Sequence, residues 1–113
     1  MNKRTIWIVG ITMLASTSAI AQLVYPVHYK SQADIKVFVV DYPSQADLKV
    51  WKSDYKSQAN GNKGIWYFVD YKSQADKTLF FVDYKSQADL LIYMVKNRSQ
   101  AGWRNRSKMY LMM

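Results

Sequence analysis

Along residues 22–113, apolar runs of strand length alternate with a recurring polar hexad. Ile35-Lys36-Val37-Phe38-Val39-Val40, Leu48-Lys49-Val50-Trp51, Lys77-Thr78-Leu79-Phe80-Phe81-Val82 and Leu90-Leu91-Ile92-Tyr93-Met94-Val95 are rich in β-branched and aromatic residues, the types that favour strands. Both alternating rows are apolar at mid-length in most copies, so these strands are expected to be covered on both faces. Between the runs, Tyr29-Lys30-Ser31-Gln32-Ala33-Asp34 recurs at Tyr42–Asp47, Tyr55–Asn60, Tyr71–Asp76 and Tyr84–Asp89, with a degenerate copy at Asn97–Gly102. Successive copies are offset by 13, 13, 16, 13 and 13 residues, and the excess of three falls at Asn60-Gly61-Asn62-Lys63-Gly64, where a loop tip accepts it.

A 13-residue unit is too short for a helix pair and fits one strand plus one connection. Six turns then separate seven segments, at about 24–29, 35–42, 48–55, 65–71, 77–84, 90–97 and 103–111. The predicted fold is mainly β: a closed toroidal array of seven short β-segments joined by short capped turns. Closure is preferred because the first and last segments read as ordinary units, whereas open repeat arrays carry distinct caps. In each turn the Ser and Asp are spaced as a capping-box-like pair: Ser31 with Asp34, Ser44 with Asp47, Ser73 with Asp76, Ser86 with Asp89. The hydroxyl is expected to accept from a backbone N–H within the turn and the carboxylate to reach back locally. The repeated tyrosines, at one fixed register, are expected to pack against or anchor their turns.

Composition changes this picture little. Residues 1–21 have the layout of a secretory leader: Lys3 and Arg4, an apolar Ile6–Ala15, and Ala19-Ile20-Ala21 as a small-x-small cleavage site. A mature chain from Gln22, periplasmic or extracellular, is therefore expected. The chain has no Cys, so a small exported domain must rely on packing. All eight acids are Asp, which suits turns better than long helices. The net charge of +8 is unevenly placed. Residues 22–95 balance nine Lys against eight Asp, while Lys96, Arg98, Arg104, Arg106 and Lys108 follow with no acid.

The repeated Y-x-S-x-A-D turn, the V-x-V-V-D-Y strand ending, the seven segments and the closing Ala101-Gly102-Trp103 resemble the septoil knot domain family. The resemblance covers about Val24 to Tyr110. It implies a compact ring of short β-segments with approximate sevenfold repetition, traced as a seven-crossing torus knot, and it implies no activity. The insertion near Gly61 and Pro43 in the second turn depart from the pattern; Pro43 is mild, because a fixed φ suits a turn entry.

Candidate chemistry is thin. With no Cys, no Glu and one His, His28, which is expected to be a partly exposed strand residue, the usual acid, base and nucleophile set is sparse, and no enzymatic activity is expected. Identical Asp in successive copies points to a structural task rather than hydrolysis. Convergent carboxylates from successive repeats could line a ring and hold Ca²⁺, but local turn bonds account better for the repeated Asp; no cofactor or metal is expected. Individuality lies where the copies differ, so the candidate binding residues are Asn60, Gly61, Lys63 and Trp66 around the insertion, and Trp103, Arg104, Arg106 and Lys108 in the basic segment. The expected function is a non-enzymatic structural or interaction module. The alternative binds anionic polymer, lipid or glycan of the envelope, or another envelope protein, through the basic C-terminal segment.

Overall fold

The computed structural model describes residues 22–113. The expected leader at 1–21 and its cleavage site lie outside the described residues. The strands are β1 (Leu23–Pro26), β2 (Ile35–Val39), β3 (Leu48–Lys52), β4 (Ile65–Phe68), β5 (Lys77–Phe81), β6 (Leu90–Met94) and β7 (Gly102–Trp103). Each turn holds one short 3₁₀ helix: Lys30–Gln32, Pro43–Gln45, Lys56–Gln58, Lys72–Gln74, Lys85–Gln87 and Arg98–Gln100. A longer 3₁₀ helix, Arg106–Met112, ends the chain.

Strands adjacent in sequence are mostly not adjacent in space. The order is β4-β1-β5-β2-β6-β3-β7, and a further pairing of β3 with β4 closes β1 to β6 into a ring of parallel strands. With β7 taken as the seventh station, every step along the chain advances two stations. The six steps that join seven strands therefore carry the chain through twelve stations, nearly twice round the axis, and because two and seven share no factor, each station is filled once. Four of the turns lie against the strand that separates the two they join; the turn at Lys30–Gln32, for example, lies against β5, which separates β1 from β2.

Alternation sorts the side chains. The inner row supplies Val24, Val37, Val50, Trp66, Leu79 and Ile92, all fully buried, joined by Ile35, Leu48 and Leu90. Burying each such side chain contributes about 2 kcal/mol, which offsets the ordering of short strands. The outer row is aromatic at one equivalent place per strand: Tyr25, Phe38, Trp51, Tyr67, Phe80 and Tyr93 are all half-buried. Coverage of the two faces is thus unequal, full inside and partial outside, because single turns shield the outer rings incompletely.

The seventh segment departs from expectation. Residues 103–111 are not a strand; β7 is two residues long and antiparallel to β3, with Leu48 opposite Trp103 and Lys49 opposite Gly102. The N–H groups of Arg104 and Asn105 then both donate to the Asp47 carbonyl, which ends the ladder. Asn105 caps the following helix through its side chain, accepting from the Ser107 N–H, and the helix buries Met112 in the core. The Gln22 amide donates to the Met112 carbonyl at 3.0 Å. The end of the ring where the strands begin is therefore plugged by the C-terminus, so closure does not remove the need for a cap.

Candidate functional site

The turns are built locally by backbone. Tyr29 precedes its 3₁₀ helix in extended conformation, and its carbonyl accepts from the Gln32 N–H at 3.0 Å while the Lys30 carbonyl accepts from Ala33. The same two bonds recur in every copy, and in none of the six turns does the side chain of the N-cap residue make a capping bond. The local Ser-Asp capping pair is thus corrected for Ser31, Ser44, Ser73 and Ser86. The serine is the second residue of the 3₁₀ turn and the N-cap position is held by tyrosine (asparagine in the sixth copy), so the hydroxyl does not stand where a capping side chain reaches the first N–H groups.

The aspartates reach elsewhere. Asp34 donates its N–H to the Thr78 carbonyl and accepts the Thr78 N–H on Oδ2 at 2.9 Å. Asp47 makes the same two bonds to Leu91, Asp76 to Leu23 and Asp89 to Lys36. Each carboxylate stands in for a backbone carbonyl and extends the parallel ladder ahead of the first residue of its strand. The partners lie 44 or 53 residues away in sequence. Asp34 also accepts from the Thr78 hydroxyl at 3.1 Å. Asp47, nearly buried, takes two more donors: the Asn105 amide at 3.2 Å and the Lys108 ammonium at 3.2 Å. Charge-assisted bonds of this kind are about twice as strong as neutral ones.

The tyrosine rings do not pack on their turns. Tyr29, Tyr42, Tyr55, Tyr71 and Tyr84 are each 64–68% exposed, so their backbone anchors the turn and their rings face solvent.

Of the candidate binding residues, Trp66 is displaced outright. It is fully buried, edge-on to Phe68 with ring centroids 6.4 Å apart, and cannot serve as a surface platform. It falls on the inner row because the three-residue insertion is absorbed before β4, restoring the register. Trp103 is half-buried and donates its indole N–H to the Asn62 carbonyl and Oδ1 at 3.1 and 3.0 Å. The Asn62 amide donates to the Met109 carbonyl at 2.9 Å, so insertion and C-terminal segment meet at one seam. Asn60 is exposed and donates its amide to the Ser57 carbonyl, while Gly61 turns with φ +76°. Gly64 has φ +82°, and a Cβ there would collide with the Lys49 carbonyl oxygen.

The basic segment divides in two. Arg104 donates to the Ser44 and Ala46 carbonyls, and Lys108 to the Asp47 carboxylate and the Asp89 carbonyl, so both fasten the tail to the ring. Arg106 is exposed. Two shallow grooves flank the sixth turn, which lies over β3. One, of about 350 Å³, is lined by residues including Lys49, Tyr93, Lys96, Asn97 and Gln100. The other, of about 470 Å³, is lined by Lys63, Ile65, Arg98, Ser99 and Ala101. Lys49, Lys96 and Arg98 thus join Lys63 at the seam. Lys49 carries no signal of its own in the sequence, because it joins a cationic groove only when β3 brings it to the lining that Lys96, two residues past the end of β6, also supplies.

A further surface lies at the opposite end of the ring, where the strands finish. Val39, Phe81 and Met94 belong to the inner row by register yet are 43, 39 and 36% exposed, with the Lys52 ammonium 5.4 Å above the Phe68 ring beside them. No helix among the described residues is long and apolar enough to cross a membrane.

No curated protein and no solved structure matches the chain. Residues 21–104 match the 7(1) septoil knot domain family, a span that takes in all seven strands and stops ahead of the closing helix. With seven stations, a two-station step and the matched span all in accord, the chain belongs to the 7(1) septoil knot domain family.

Proposed function

We propose that the domain is a non-enzymatic interaction module, exported by the leader at 1–21, whose repeats build a rigid ring and whose ligand is met at the seam. The observation that carries this reading is the occupation of the turn carboxylates: Asp34, Asp47, Asp76 and Asp89 all accept backbone N–H groups. Groups held as ladder members are poorly placed to move protons or attack a substrate. The tyrosines and the groove cations remain available to contact a partner.

The test uses the tagged mature protein, residues 22–113, presented to its native envelope fraction. A saturable ligand, displaced by untagged protein, is the expected result. Turnover of an ester, glycan or phosphate substrate that is abolished by Asp→Asn substitution would contradict the reading. Export itself is checked by N-terminal sequencing of the secreted protein, which should begin at Gln22.

A second reading is attachment to anionic polymer, lipid or glycan through the segment after Lys96. It draws support from the lack of acids there and from the exposure of Arg106.

A further inference from the structure

We infer that the sixth turn, Asn97–Gly102, is the centre of a binding site for an acidic polysaccharide, a chain of uronic acid sugars lying across the turn from one flanking groove to the other. The inference deepens the interaction-module reading and rests on it.

The sixth turn is the least regular copy. It has Asn97 where five copies have tyrosine, Arg98 where four have lysine, and Gly102 in place of the aspartate. The last change removes the carboxylate that would otherwise sit at the seam. The turn lies over β3, between β6 and β4, and a groove opens on each side. On the β6 side stand Lys49 and Lys96, on the β4 side Lys63 and Arg98. Neither groove is lined by a carboxylate. Among the described residues the ion pairs are Lys36 with Asp89 and Lys108 with Asp47, so all four groove cations are without one. Four unneutralised cations around one turn contrast with the near balance of Lys and Asp over residues 22–95.

The remaining lining selects the polymer. The half-buried Tyr93 ring offers an apolar face in the first groove, with the Asn97 and Gln100 amides beside it. A pyranose presents the complement: an apolar face for the ring, hydroxyls for the amides and a carboxylate for the ammonium groups. Four cations match a few uronate residues, each bearing a single charge. A lipid surface would instead call for a protruding apolar edge, and these residues sit in concavities on the wall of the ring.

The experiment measures binding of oligogalacturonate to residues 22–113 across a salt series, with a neutral oligosaccharide, anionic phospholipid vesicles and a single-stranded oligonucleotide as parallel probes. Oligogalacturonate should bind best and weaken steeply as salt rises. The variant K49Q/K63Q/K96Q/R98Q should weaken it by roughly tenfold or more and flatten the salt dependence. The variant K30Q/K56Q/K72Q/K85Q, with four charges removed from other turns, should change it less than about twofold if the site rather than the overall field attracts the polymer. Tyr93→Ala should lower oligogalacturonate affinity at high salt, where stacking outlasts charge attraction. Thermal melts of each variant separate lost binding from lost folding. Equal loss in both quadruple variants, unchanged binding in the groove variant, or preference for vesicles or oligonucleotide would overturn the inference. If oligogalacturonate fails while the envelope fraction still yields a saturable ligand, the polysaccharide site falls and the interaction module stands; if both fail, both fall.

Discussion

At each of four strand entrances a single carboxylate oxygen does what another ladder residue would do in a longer strand. Parallel strands of four or five residues leave unpaired N–H groups at their ends, and an unpaired buried N–H costs about 1–3 kcal/mol. Asp34→Ala should therefore lower stability by about 2 kcal/mol, read as a fall in Tm of about 10 °C. Asp47→Ala should cost more, about 3 kcal/mol, since it also strands Lys108 and the Asn105 amide. Equal, negligible losses at both positions would remove the clasp from the account. Gly64→Ala should lose about 2 kcal/mol or more, through both its positive φ and the Lys49 carbonyl it would strike. The importance of the aspartates was legible in the repeat, but their partners were not. A capping box is a local pattern, whereas these carboxylates meet backbone amides 44 or 53 residues away, and a backbone amide leaves no mark in sequence.

Among the elements, the turns and β2, β3, β5 and β6 were legible because a fixed period of β-branched and aromatic runs marks them. The closing helix was not. Met109 to Leu111 is as apolar as a strand, and only the double donation to the Asp47 carbonyl, followed by the Asn105 cap, diverts the chain. The seam had a partial signature: the insertion and the acid-free tail were both visible as departures from the repeat, but their contact through Asn62 and Trp103 depends on ring closure. Lys49 escaped notice because it sits in an ordinary copy and becomes part of a groove only through its neighbours across the sheet. Deleting residues 106–113 should unplug the ring, remove the Met112 contact and the Lys108 clasp, and lower stability by about 3 kcal/mol or more while leaving a folded β ring. A melt unchanged by the deletion would show that the helix is an appendage.

For the whole molecule, the decisive property is the two-station step. Every strand pairs with strands several repeats away, so early local structure gains little until the chain has circled the axis, and slow folding follows. Stability is also indivisible, in contrast to solenoids, where each repeat contacts only its neighbours and units can be removed one at a time. Seven stations accept a step of two without conflict. Six stations do not, since the chain would return to an occupied place after three strands. The sequence period alone does not distinguish these cases, because 13-residue units in an open array would look the same. Removal of one whole unit, residues 35–47, followed by denaturant unfolding of the shortened protein, tests this most directly. The ring predicts loss of cooperative unfolding and of fixed aromatic circular dichroism. A cooperative transition with a denaturant slope reduced by about one-seventh would contradict it, because surface exposed on unfolding would then scale with repeat number.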